Sequence, residues 1–115
     1  MTGEELNRKY HELRGWRAEQ DRGYVFYHKP SCVDEVGHSR CDCSGALPPL
    51  HLNANLAIAE ARKVFPRGWT LKHDGGRTVY FVPRIEPPIL ATIGEDDNPE
   101  CEAVLEALIA AKESQ

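Results

Sequence analysis

Three of the four cysteines and one histidine, Cys32, His38, Cys41 and Cys43, fall within twelve consecutive positions of the chain. The spacing C-x5-H-x2-C-x-C offers three thiolates and one imidazole, donors that a tetrahedral zinc ion takes at about 2.0–2.3 Å. Four good ligands in one stretch describe a closed structural site, whereas a catalytic zinc leaves one position open. His28 and His51 flank the stretch as reserve ligands, and Asp34, Glu35 and Asp42 are oxygen donors within it. Cys-x-Cys is a tighter spacing than a paired Cys-x-x-Cys, so unliganded thiols and a disulfide or redox-sensing pair stay open as alternatives. A Cys–His nucleophile, Cys32 or Cys41 with His38, would need a third group to orient the imidazole, and clustered cysteines take a metal more readily.

The segment around these residues has little else to order it. Between Pro30 and Pro48 the other apolar residues are Val33, Val36, Ala46 and Leu47, with Gly37 and Gly45 free to turn the backbone. A connection that long without structure of its own is uncommon in a small domain, which points to an external staple. Structural zinc in the loop spanning residues 31–45 is therefore the leading expectation.

The elements that must carry this loop are bounded by composition. With 115 residues, 41% hydrophobic and 28% charged, the chain reads as one globular domain over residues 1–115. No apolar run approaches the roughly 20 residues of a membrane span. The opening "MTGEELNRKYHELRGW" has no apolar core for a secretory signal, so a cytoplasmic, thiol-reducing location is expected. The net charge of −4 is unevenly spread: residues 44–84 carry six basic against two acidic side chains, residues 85–115 one against eight. The middle could approach a phosphate, but an acidic chain is a poor candidate for general nucleic-acid binding.

An internal repeat organises the rest. At an offset of 53, "RGWRAEQDRGYVFYHKP" (14–30) lies over "RGWTLKHDGGRTVYFVP" (67–83) with seven identities: Arg14/Arg67, Gly15/Gly68, Trp16/Trp69, Asp21/Asp74, Gly23/Gly76, Tyr27/Tyr80 and Pro30/Pro83. Each copy reads as a helix closed at Arg-Gly, a strand from Trp, an Asp-x-Gly turn, and a strand ending at proline. The two tryptophans are expected in equivalent parts of the core. The turn "DGGR" (74–77) lacks the lysine and helix of a phosphate loop.

The first helix, over 3–13, aligns Leu6, Tyr10 and Leu13. The second, over 53–65, is capped by Asn53 or Asn55 and turns Leu56, Ala57, Ala61, Val64 and Phe65 inward. "VYFV" (79–82) suits a central strand and "ILATI" (89–93) another. The last helix follows Asn98 and Pro99, with Asp96, Asp97 and Glu100 at its positive end. It buries Cys101, Val104, Leu105, Leu108 and Ile109, with Cys101 a core thiol. The order α-β-β-α-β-β-β-α, two helix-plus-β-hairpin repeats, gives an α+β fold with an antiparallel sheet packed by helices.

The segment "LHLNANLAIAEARKVFPRGWTLKHDGGRTVYFVP" and the Ala-rich "CEAVLEALIAAK" resemble the phage ABA-sandwich domain proteins, a set of small phage and prophage proteins, over about residues 48–112. The resemblance implies a phage-type gene product working in bacterial cytoplasm and supplies no catalytic residue. The expectation is a non-enzymatic protein that binds a bacterial protein or complex, an inhibitor of a bacterial defence system being one such role. A nucleic-acid-associated zinc module, using Arg40 with Arg62, Lys63, Arg67, Lys72, Arg77 and Arg84, is the first alternative. A small-ligand or nucleotide binder with a pocket between the hairpins is the second. Exposed hairpin edges also allow a homo-oligomer.

Overall fold

The computed structural model describes residues 2–32, 43, 45–75, 77–95 and 98–114. The elements run α1 (Gly3–Leu13), β1 (Arg17–Asp21), β2 (Tyr24–His28), α2 (Ala54–Val64), β3 (Trp69–Asp74), β4 (Thr78–Pro83), β5 (Thr92–Gly94) and α3 (Pro99–Glu113). The fold is α+β in the expected order, but the strands form two antiparallel sheets, β1–β2 and β3–β4–β5, in place of one.

Helix α3 is the centre of the packing. Proline at its first position suits a helix start, although the Asn98 side chain makes no cap bond, and Asp96 and Asp97 lie outside the described residues. Eight of its residues are buried: the five expected, together with Ala103, Ala107 and Ala111 at four-residue spacing. Those alanines form a small face that lets neighbours approach, and α3 packs on α1, α2, β4 and β5. Each fully buried Leu, Ile or Val is worth about 1.5–3 kcal/mol, so this helix dominates the core. Cys101 is 4% exposed and burial pushes its thiol pKa up, as befits a core residue.

Helix α1 is capped by Thr2, whose hydroxyl accepts the Glu5 N–H at 3.2 Å. Leu6 and Tyr10 enter the core, whereas Leu13 is 43% exposed instead of facing inward. Asn7 and His11, one turn apart, are buried in its stead because they grip the chain at residues 48–50. Asn7 Nδ2 donates to the Pro48 carbonyl at 3.0 Å and Asn7 Oδ1 accepts the Leu50 N–H at 3.1 Å. His11 Nε2 lies 3.0 Å from the same Pro48 carbonyl, and its Nδ1 faces Arg14 at 3.4 Å, which assigns the proton to Nε2.

Helix α2 is capped by Asn53, whose Oδ1 accepts the Leu56 N–H at 3.2 Å. Ala57, Ala61 and Phe65 are buried and Val64 half-buried, but Leu56 is exposed, since the small alanines carry the close contact. Tyr10 donates its hydroxyl to Glu60 at 3.2 Å and Arg14 pairs with Glu60 at 3.5 Å, tying α1 to α2.

Gly15 and Gly68 both sit at φ +99°, a conformation glycine adopts without strain. Only Gly15 closes its helix directly; α2 ends at Phe65, and Gly68 follows in a turn where its N–H donates to the Phe65 carbonyl. The hairpins then diverge. Arg22 and Gly23, both at positive φ, make a two-residue turn, whereas residues 75–77 separate the paired Asp74 and Thr78. The longer turn shifts the register, so Tyr27 lies opposite Ala18 while Phe81 lies opposite Leu71. The identity Tyr27/Tyr80 is thus no structural equivalence, and Gly76 falls outside the described residues.

Strand β4 is central, as expected, and buries Val79, Phe81 and Pro83. Strand β5 begins only at Thr92, leaving Leu90 fully out in solvent, because prolines 87 and 88 hold the entering chain off the ladder. Trp69 stacks on Phe81 at 5.7 Å against the core, whereas Trp16 packs edge-on to His11 at 5.4 Å and lies outside the apolar cluster. Among the described residues that cluster takes no member from positions 14–49.

Burial lowers the His11 pKa below its ordinary value, with Arg14 adding to the effect and the Pro48 carbonyl and Glu60 opposing it. The folded state holds His11 neutral, so below about pH 6.5 the unfolded chain binds a proton that the folded chain refuses, and stability falls with falling pH. Urea midpoints measured from pH 7.5 to 5 should therefore drop less steeply in H11Q than in the parent. An equal slope in both would exclude His11 as a source.

Candidate metal centre

The first hairpin ends in a compact turn built from its own polar groups. His28 closes β2 and is 6% exposed. Beyond it the Cys32 N–H donates to the Lys29 carbonyl at 3.0 Å, and Arg17 Nη2 donates to the Cys32 carbonyl at 2.6 Å. This turn sets the Cys32 Sγ 3.6 Å from His28 Nδ1. The Lys29 N–H points at the Cys43 Sγ, 3.4 Å away. His28, Cys32 and Cys43 thereby bring three ligand atoms within 4.8 Å of one another.

The separation fits the chemistry. Bond lengths of 2.3 Å to sulfur and 2.05 Å to nitrogen at a tetrahedral angle put the two donors about 3.6 Å apart, the spacing of Cys32 and His28. Two thiols and an imidazole are also the donor types zinc takes in closed sites, and a backbone N–H directed at one sulfur would stabilise its thiolate. Cys32, Cys43 and Cys101 are free thiols.

The chain is returned to the hairpin beside Cys43. The Tyr27 N–H donates to the Gly45 carbonyl at 3.0 Å, an isolated bridge on the outer edge of β2. Gly45 sits at φ +83°, and a Cβ there would lie 2.6 Å from two carbons of the Phe26 ring. Both the backbone conformation and the contact therefore demand glycine. On the far side of the His28 ring, Nε2 lies 2.6 Å from Glu19 Oε2. The hydrogen bond to the Glu19 carboxylate, followed by that with Cys32, pushes the His28 pKa up.

Of the ligands read from the sequence, the structure unites Cys32 and Cys43. His38 and Cys41 lie outside the described residues, as do Asp34, Glu35, Asp42, Gly37 and Arg40. His28, only a reserve in the sequence, is the histidine of the group; the signal for it was the four-residue step to Cys32 around Pro30. His51 is placed elsewhere, against Gly3 at the start of α1, on a cavity of 340 Å³ that Glu4, Asn98 and Glu102 also line. Glu19 was missed, although a two-residue turn at Arg22–Gly23 puts it diagonally across from His28 on one sheet face. That cavity and one of 310 Å³ between α1, β2 and residues 45–47 do not join the two hairpins.

No helix among the described residues is long and apolar enough to cross a membrane. No protein-family model matches the chain, and no curated protein or solved structure matches it. Replacing Gly45 with alanine should break the bridge to Tyr27 and displace Cys43. The expected result is loss of the Tyr27 amide's protection from hydrogen exchange and weaker metal binding; retained protection with parental affinity would remove Gly45 from the design of the site.

Proposed function

We propose that this chain is a non-enzymatic, phage-type binding protein whose first hairpin is stapled by one structural zinc ion. The carrying observation is the convergence of His28, Cys32 and Cys43 at the root of a hairpin that has no part in the apolar core. A two-stranded hairpin alone is marginal in water, so a staple is what this one lacks. The fourth ligand in this reading comes from the intervening segment, with Cys41 and His38 the sequence candidates. Zinc bound there would supply folding energy to β1–β2 and leave α3's core untouched.

The partner in this reading is a bacterial protein or complex, in keeping with the sequence's resemblance to phage ABA-sandwich proteins. The stapled hairpin offers it a surface. Tyr24 and Val25 are 78% and 46% exposed at the start of β2, and the ladder alternation turns the Val25 backbone outward, on the edge that Gly45 meets at Tyr27. The register-equivalent edge of β4, at Val79, is filled by Gly94 of β5. Among the described residues, the β2 edge at Val25 has no strand beside it where β4 has β5, which makes it a natural place for an extended partner segment.

A second reading is favoured by one observation: Glu19, His28 and Cys32 form a carboxylate–imidazole–thiol relay, the arrangement that activates a nucleophilic cysteine. Elemental analysis with thiol titration separates the two. About one zinc per chain, lost in C32S and C43S together with the fold of the hairpin, is expected. Metal-free protein with a rapidly alkylated Cys32 would overturn the zinc reading for the nucleophile. For the surface, Y24S/V25S should keep its zinc and its stability but lose the protein that the parent retains from bacterial lysate. Equal retention by both would move the binding surface elsewhere.

A further inference from the structure

We propose that Glu19 is the outer-sphere carboxylate of this site, committing His28 to bind the metal through Nδ1; the inference rests on the metal reading above. An imidazole can present either nitrogen, and the one that carries the proton is set by the hydrogen bond that the other makes. Here the two nitrogens have different partners. Nε2 lies 2.6 Å from Glu19 Oε2, a charge-assisted distance, while Nδ1 faces the Cys32 sulfur at 3.6 Å. Nε2–H donates to the carboxylate, and the Nδ1 lone pair is left aimed into the space shared with Cys32 and Cys43.

The two strands hold this geometry from the backbone outward. Arg17 is paired with His28 and Glu19 with Phe26, so Glu19 and His28 share a face as diagonal neighbours. The Phe26 ring packs 5.1 Å from the imidazole, limiting the planes it can adopt. Glu19 bonds the side of the ring away from the thiols, so it is a positioning residue and not a ligand. Its negative charge raises the basicity of the imidazole as a donor, and its acceptor oxygen holds the ring plane.

The second hairpin supports the assignment by contrast. At the established offset Glu19 corresponds to Lys72, and the residue register-equivalent to His28 is Val82. Carboxylate and imidazole face each other in the unit that carries the thiols, and lysine and valine stand at the two equivalent positions of the unit that is held by the core.

The test is zinc affinity by competition with a chromophoric chelator, on the parent, E19A, E19Q and Q20A. Gln20 is an exposed neighbour on β1 and serves as the control. E19A should bind zinc about 10- to 100-fold more weakly. E19Q, whose amide oxygen still accepts from Nε2–H, should recover much of that loss, and Q20A should match the parent. A general loosening of the hairpin would not fix the ring's tautomer. Nitrogen-15 spectra of zinc-loaded parent should show His28 metallated at Nδ1 and protonated at Nε2. E19A affinity within twofold of the parent, or ligation through Nε2, would overturn the role of Glu19 while leaving the metal site standing. A parent that binds no zinc would remove both.

Discussion

Helix α3 absorbs the apolar surface of nearly everything around it. Its eight buried residues receive α1 from one side, α2 from another, and β4 and β5 across a third, with Phe65 and Phe81 closing the cluster. That arrangement takes Val79 and Phe81 of the second hairpin into the core and, among the described residues, takes nothing from the first. A strand pair whose apolar residues find no helix to bury them must be held by other forces or fray. The chemistry at its root follows from that constraint: a carboxylate–imidazole hydrogen bond, a turn of backbone hydrogen bonds, and three soft or borderline donors set at metal-ligand spacing.

The internal repeat therefore describes one backbone plan stabilised in two ways. Both units enter through a glycine at φ +99° followed by tryptophan. After that the units part. Trp69 stacks on Phe81 and joins the core, while Trp16 meets the imidazole of His11 at the end of α1. The added turn residue in the second hairpin slides its register and brings Phe81 opposite Leu71. In the first, the shorter turn pairs Arg17 with His28 and so puts Glu19 within reach of that imidazole.

The polar clamp on α1 links the two regimes. Asn7 and His11 hold the Pro48 carbonyl and the Leu50 amide, which anchors the chain just after it leaves the hairpin at Gly45. Leu50 enters the core while Gly45 pairs with Tyr27, so the few residues between them join the His28–Cys32–Cys43 group to the packed body. Buried polar groups of this kind are tolerated only when each finds a partner, and here they do.

How much of this was legible depended on the range of the interaction. The helices, their order and the α+β class were readable because apolar periodicity and caps act within a few residues: Asn53 before α2 and Pro99 opening α3 mark their own positions. The presence of a metal-type donor set was equally local, since Cys32 and Cys43 declare themselves by type. What lay beyond the sequence was non-local geometry. Leu13 and Leu56 turned outward because neighbouring helices chose the alanine and polar faces, which no single helix can announce. His28, a reserve ligand in the sequence, joins the described group because a ligand is chosen by where a strand ends in space, while His38 lies outside the described residues. Glu19 joined it only once a two-residue turn had set the register. The sequence by itself determined which chemistry the chain could perform and which local elements would form. The tertiary structure decided which hairpin was left without a core, and with it where that chemistry was needed.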